Sequence, residues 1–362
     1  MDLKIDSLIR SNSELTHQHT SSVPIILSTR IRLARNLAGH HFPNHSNDAD
    51  RARVFEACGE AIAKAKEMDS AVSLKMGDLS EMERRILVER HLVSRELIES
   101  HSGSAVVINE DQSCALMVNE EDHLRIQSML AGFHLEKVWS TIDALDNSLE
   151  ESLDFAYSED LGFLTACPSN VGTGLRASVM MHLPGLVITK NMEKVIRAVN
   201  QIGLVVRGWL GEGSDASGSI FQISNQQTLG ESEETILKRL GNVLKTVRVQ
   251  EKNARVRLLQ TDRNRILDRI GRAYGILRNG HLLSSGEGMS LLSLIRLGTD
   301  FEMFSKDTRG LVDRLFIESQ PAHVQYLAES EIESSARDSL RASSMRRNFA
   351  DVPEPDFDAA PS

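Results

Sequence analysis

Ala105-Val-Val-Ile-Asn109 and Cys114-Ala-Leu-Met-Val118 are two short β-type runs held apart by Glu110-Asp-Gln-Ser113, a polar stretch that reads as a tight turn. Runs this close in sequence form a hairpin, which argues for antiparallel pairing. Further β-type runs lie at 162–166, 204–209 and 220–224. Helical periodicity marks 51–66, 120–131, 192–202 and 233–250. Asn119 before Glu120-Glu-Asp122 reads as a helix start, a capping side chain followed by acids in the first turn. From about 262 to 350 the pattern is almost wholly helical, with breaks at Asn279-Gly280, Ser285-Gly286 and Pro321. The implied organisation is a flexible segment 1–22, a mixed domain 23–255, a helical domain 260–350 and a disordered tail 351–362 rich in proline and aspartate.

Composition narrows the function. The chain has 362 residues, 41% of them apolar, enough for a sizeable core and roughly two domains. Its formal net charge of -10 argues against nucleic acid or an anionic membrane as partner, since either would repel it on average. Cys58, Cys114 and Cys167 lie far apart without Cys-x-x-Cys spacing, which fits a reducing cytoplasm. The N-terminal stretch 1–20 lacks the apolar centre of a signal peptide, and no apolar run reaches ~18 residues, so no membrane helix is expected.

Four segments carry candidate chemistry. In Ser28-Thr-Arg-Ile-Arg-Leu-Ala-Arg-Asn36, a strand would put Arg30 and Arg32 on one face and Ile31 and Leu33 on the other, aiming two guanidinium groups at one polyanion. A solvated basic edge is the plainer alternative. Asn119-Glu-Glu-Asp-His-Leu-Arg125 would set one carboxylate in a pocket, though an ordinary acid-capped helix start accounts for the segment alone. Cys167-Pro-Ser-Asn-Val-Gly-Thr-Gly174 reads as a strand entering a turn and then a helix carrying Arg176, a usual place for a site. Arg207-Gly-Trp-Leu-Gly-Glu-Gly-Ser-Asp-Ala-Ser-Gly218 is glycine-rich, and reads either as a loop that closes over a ligand or as a plain connection. There is no P-loop and no His-Arg-Asp or Asp-Phe-Gly pair, so any triphosphate would have to be handled by arginines.

Together and in this order, these segments resemble the phosphagen (guanidino) kinases, the family of creatine and arginine kinases, over roughly 23–250. The resemblance implies an α+β fold: an antiparallel sheet flanked by helices, followed here by an α-helical C-terminal domain. It assigns ATP-phosphate binding to Arg30, Arg32, Arg125, Arg176 and Arg207, and further nucleotide contact to Ser28, Thr29, Ile31 and His91. The runs Arg176, Ala177, Ser178, Val179, Met180 and Arg207, Gly208, Trp209, Leu210, Gly211 would line the nucleotide site. Glu121 and Glu212 would hold the acceptor guanidinium, with Cys167 and Asn170 nearby. Two departures from the metabolic enzymes point to the branch of bacterial protein arginine kinases. Only about twenty polar residues precede Val23, which leaves the pocket open to an arginine still in a polypeptide. The added helical domain contains Arg337-Asp-Ser-Leu-Arg-Ala342, where Arg337 and Arg341 share a helix face, Asp338 would hold a guanidinium, and Ala342 completes a phosphoarginine-sensing motif.

The chemistry suits these residue types. Arginine, with a pKa above ~12 and a delocalised lone pair, is a poor nucleophile. Two carboxylates orient it, and one accepts its proton as the N–P bond forms. Phosphoryl transfer otherwise needs position and positive charge. Mg²⁺ would be held mainly by the nucleotide's phosphates and water, so no protein metal ligand is expected. By resemblance, the partners are protein substrates, a zinc-binding activator protein, a protease chaperone and a second copy of the chain. A kinase for free arginine and a phosphoarginine-binding adaptor are the competing readings.

Overall fold

The alternating segment around Arg30 is the central strand of the molecule. In the computed structural model, which describes residues 9, 24–99, 103–209, 217–328 and 331–361, β1 (Ile26–Arg35) pairs antiparallel with β5 (Leu124–Ala131) and β8 (Leu175–His182). Outward from β5 come β4 (Cys114–Val118), β3 (Ala105–Ile108) and β2 (Val72–Lys75). Outward from β8 come β10 (Ile220–Asn225) and β9 (Leu204–Arg207). Every pairing in this sheet is antiparallel. A small ribbon, β6 (Tyr157–Ser158) with β7 (Gly162–Phe163), stands apart. The expected hairpin is β3–β4. Asn109 Oδ1 accepts from the Cys114 amide, and Asp111 Oδ1 accepts from the Ser113 amide, which closes the turn.

One face of the sheet is largely apolar. Ile31, Leu33, Leu116, Ile126, Ala177, Val179 and Ile223 meet Val138, Ile142, Leu145 and Leu149 of α4 (Leu135–Glu150). Their spacing of three and four residues makes one helix stripe, and each such side chain, fully buried, stabilises by ~1.5–3 kcal/mol. α1 (Asp48–Ile62), α6 (Met192–Gln201) and the start of α7 (Glu233–Asn279) extend this layer. The other face has two coverings. α2 (Glu81–Glu89) and α3 (Arg95–Glu99) lie over Val106, Ile108 and Met117. At the far end, Met129, Met180 and Ile220 join a second core with the C-terminal helices α8 (Ser285–Asp300), α9 (Asp307–Glu318) and α11 (Ser334–Phe349). α5 (Pro184–Ile188) packs on α7, and α10 (Pro321–Leu327) bridges to α2. Between the two coverings Arg30 and Arg32 stand over the sheet.

Several expectations need correction. The segment 120–131 is not a helix but a tight turn followed by β5. Central strands covered on both faces lose the polar–apolar alternation that identifies a strand. Asn119 is not a helix cap; it takes the left-handed conformation (φ 55) that its short amide tolerates. Its Nδ2 donates to the carbonyls of Arg51 and Gly103. Arg176 lies on β8, not on a helix. α7 continues past 250 and is kinked at Asp262, whose backbone is non-helical (φ -145, ψ 35). Ser285-Gly286 opens α8 rather than breaking it. The tail is docked rather than disordered: Arg263 donates to the carbonyls of Ala360 and Pro361, and Val352 and Ala360 are buried in the second core. No helix among the described residues is long and apolar enough to cross a membrane.

Candidate functional site

Period-two alternation on β1, β5 and β8 sends one set of side chains to the face left open between the two coverings. Arg32 lies opposite Arg176 on β8 and opposite Gln127 on β5, Arg30 lies opposite Ser178, and Arg125 lies opposite Ala34. On β10, Gln222 faces Arg207 of β9. Arg30, Arg32, Arg125, Arg176 and Arg207 therefore line one cavity of about 400 Å³, together with His91, Trp209, Glu121, Cys167 and Asn170.

Residues between these on the same strands do not reach it. Ile31, Ala177 and Val179 point into the opposite core, and Met180 belongs to the helical core. Thr29 is buried, its hydroxyl donating to the Gly132 carbonyl. Ser28, Ser178 and Gly208 are buried beside the cavity without lining it. These residues support the strands that carry the cavity's arginines. Leu210, Gly211 and Glu212 lie outside the described residues.

Electrostatics divides the arginines. Arg125 Nη1 donates to the buried Glu120 carboxylate at 2.5 Å, and Ser94 holds the same oxygen. Burial alone would lower the Arg125 pKa, but the Glu120 charge and hydrogen bond raise it. Among the described residues neither Arg30 nor Arg32 makes an ion pair with a carboxylate, although the Glu120 charge acts on Arg32. Burial, then the charges of Arg125 and Arg176, pushes Arg30 down to about 10. Burial and the charge of Arg30 lower Arg32 further. Burial, Arg30 and Arg32 push His91 down to about 3, so its ring is neutral. Among the described residues the buried Arg32 Nε, His91 Nε2 and Trp209 Nε1 have no hydrogen-bond partner. Mutually repelling cations with such orphaned donors suit a polyanion carrying an acceptor-rich ring system.

The acids of Asn119–Arg125 have separate tasks. Glu120 holds Arg125. Asp122 Oδ1 accepts from Asn36 Nδ2 (2.6 Å) and from the Ala166 amide (2.7 Å), tying the loop before Cys167 to β1. Glu121 alone faces the cavity. Burial, then the Asp122 charge, raises its pKa. Cys167 Sγ lies 3.1 Å from Ser169 Oγ at the start of the turn Pro168–Asn170. Sequence reading missed Glu120, Asp122, Ser94, Arg95, Glu96 and Gln222. The acid triplet passed as helix-start charge. Gln222 and Ser224 were legible only as the polar alternates of 220–225.

The sensing motif lies elsewhere. Arg337 borders a second cavity of about 420 Å³ with Glu81, Arg85, Glu89 and Gln325, and donates to Gln325 Oε1 and the Ile332 carbonyl. Arg341 is buried and donates to the carbonyls of Ser319 and Leu283 and to Asp338. Ala342 is buried as well. The expected pair of guanidinium groups on one open face is thus corrected: Arg341 fastens α11 to α8 and α9, and Arg337 alone borders the cavity. Among the described residues no three His, Cys, Asp or Glu side chains cluster with metal-binding geometry.

Known proteins place this geometry. Residues 53–254 match the model of the ATP:guanido phosphotransferase C-terminal catalytic domain. Residues 263–360 match that of the protein-arginine kinase McsB C-terminal domain. The protein-arginine kinase of Pelotomaculum thermopropionicum is 45% identical over 332 residues, covering 91% of this chain and 93% of that protein. That of Moorella thermoacetica is 43% identical, covering 94% and 99%. Among solved structures, a duplicated taurocyamine kinase from Schistosoma mansoni with bound transition-state-analogue components superposes with TM-score 0.59 at 28% identity. It covers 63% of this chain, which spans about a third (33%) of that one. A lombricine kinase, at 24% identity and TM-score 0.56 over 66% of this chain and 70% of that one, shares the fold.

Proposed function

The chain belongs to the ATP:guanido phosphotransferase family, among the protein-arginine kinases, and on that premise we propose that it transfers the γ-phosphoryl group of ATP to arginine side chains in proteins. The observation that carries this reading is the convergence of Arg30, Arg32, Arg125, Arg176 and Arg207 on one cavity with the Glu121 carboxylate at its edge.

The arginines bind the phosphates and hold their charge as it redistributes. His91 and Trp209 offer neutral N–H groups to the nucleotide. Magnesium bound to the nucleotide would supply further positive charge at the phosphates. Glu121 holds the acceptor guanidinium in line with the γ-phosphorus. As the N–P bond forms and the bond to the ADP oxygen breaks, Glu121 takes the guanidinium proton. Glu212 is assigned the second clamp. Arg337 and Asp338, with Arg341 and Ala342 behind them, are assigned to reading phosphoarginine, since the cavity beside Arg337 offers both cations and carboxylates. The same proposal includes a cytoplasmic homodimer joined through the helical region, a zinc-binding activator and a protease chaperone for modified clients.

The test is incubation with Mg-ATP and either an arginine-rich protein or free arginine, following acid-labile phosphate. Transfer to the protein is expected, and Glu121→Gln is expected to slow it by ~10²–10⁴-fold, the range for a general base, while ADP still binds. Transfer to free arginine alone overturns the protein-directed reading. No transfer by the parent chain favours an adaptor.

A further inference from the structure

Among the described residues, Gln222 is the one side chain that hydrogen-bonds the Arg30 guanidinium: Arg30 Nη2 donates to its Oε1 at 2.9 Å. Gln222 is buried on β10, and it lines the same cavity as the arginines. Register explains the reach. Ser178 of β8 lies opposite both Arg30 of β1 and Ser224 of β10, so small side chains separate Arg30 from the β10 strand. The choice of an amide matters because the neighbouring case differs. Arg125 is fixed by a carboxylate, Glu120, which cancels its charge as it orients it. An amide orients a guanidinium through the same hydrogen bond and leaves the charge whole. Arg30 therefore stays fully cationic beside Arg32 and Arg176, and an entering anion relieves the repulsion among them.

We propose that Gln222 is a positioning residue for the donor nucleotide, fixing Arg30 without neutralising it so that the triphosphate supplies the missing counter-charge. This rests on the assignment of the cavity to ATP. An acidic side chain at position 222 would stabilise the empty protein and weaken nucleotide binding, whereas a residue serving only to pack β10 would show no such trade.

The test uses the full chain carrying Gln222→Glu or Gln222→Ala, with thermal unfolding in the absence and presence of Mg-ADP, ADP titration calorimetry, and steady-state KM values for Mg-ATP and for an arginine-containing peptide. Gln222→Glu is expected to raise the unfolding midpoint of the nucleotide-free protein, shrink the shift produced by Mg-ADP, and raise KM for Mg-ATP with KM for the peptide unchanged. Gln222→Ala is expected to weaken nucleotide binding by ~10-fold or more, the order for one hydrogen bond to a charged group, without raising the nucleotide-free midpoint. A Gln222→Glu protein that unfolds earlier while binding ADP as the parent does overturns the proposal, as do two variants with unaltered nucleotide affinity. If the parent chain binds ADP but transfers no phosphate, the functional reading fails, and the binding data still decide the role of Gln222.

Discussion

Arg30 and Arg32 sit where neither would choose to be in isolation: half-buried, cationic, and close to two further guanidinium groups. His91 completes the set by staying neutral, held in a left-handed backbone conformation (φ 59) with its carbonyl accepting from Gln127 Nε2. Left-handed conformation at a non-glycine residue costs free energy, and here it turns the ring toward the cavity and against Trp209, with ring centroids 4.9 Å apart. A folded pKa of about 3 against an ordinary 6.5 has a thermodynamic consequence. Above pH ~6.5 neither state takes up the proton. Below it the unfolded chain binds one and the folded chain does not, so stability is lost as the pH falls toward 3. His91→Gln is therefore expected to flatten the stability–pH curve between pH 6.5 and 4 by up to ~1.4 kcal/mol per pH unit, measured by urea unfolding at several pH values. An unchanged slope would mean that His91 is not held neutral in the fold. At this scale the sequence exposed the cations, because Arg30 and Arg32 two apart on a strand must share a face. It hid their partners. Glu120, Glu121 and Asp122 are adjacent in sequence, yet a turn with a left-handed Asn119 sends them to Arg125, to the cavity and to the Ala166 amide in turn.

Among the elements, the turn from Cys167 to Gly174 shows why its glycines are required. A Cβ on Gly172, which has φ 109, would sit 2.5 Å from the Thr228 carbonyl oxygen, and one on Gly174, at φ 66, 2.6 Å from that of Ala34. Both close approaches let the turn lie against β1 and against the 226–229 segment, where Thr228 Oγ1 donates to the carbonyls of Ser169 and Val171. Cys167 and Asn170 are thereby set at the cavity rim. Gly174→Ala combines a disfavoured backbone conformation, ~1–2 kcal/mol, with a clash against backbone that cannot move aside. It is expected to lower the thermal midpoint and to reduce kcat more than KM for Mg-ATP, because the rim and not the arginine floor shifts. Parent-like kinetics in a folded variant would show that the turn does not set the rim. The glycine pattern was legible in the sequence; the helix expected after it was not. Leu175–His182 is buried on both faces, and Val179, Met180 and Met181 interrupt its alternation, so the short run does not separate strand from helix.

Across the whole molecule, the sheet and the C-terminal helices are fastened by charges as well as by a shared core. Glu251 of α7, fully buried, accepts from the Gly185 and Leu186 amides at the start of α5 and from Arg255 Nε. Arg255 continues to Asp300 and to the His182 carbonyl at the end of β8. Arg296 of α8 binds Asp313 and the Pro24 carbonyl just before β1. On the cavity side, Trp209 touches Phe316 of α9, and Glu89 at the end of α2 accepts from the Ala322 and His323 amides of α10. An ionic and apolar junction thus ties together the parts on either side of the expected boundary at 255–260. Composition alone could not reveal it, because Glu251 and Arg255, four apart, read as an ordinary surface pair on a helix. Units joined in this way unfold together, so calorimetry should give one transition with equal calorimetric and van't Hoff enthalpies. Glu251→Ala leaves two amides and Arg255 without their buried acceptor, a loss of about 3–5 kcal/mol for a broken buried pair. Its effect should appear as a lower midpoint of that single transition. If the transition splits, with the helical region melting apart from the sheet, the junction does not couple them, and the second cavity beside Arg337 would have no rigid route to the arginine cluster.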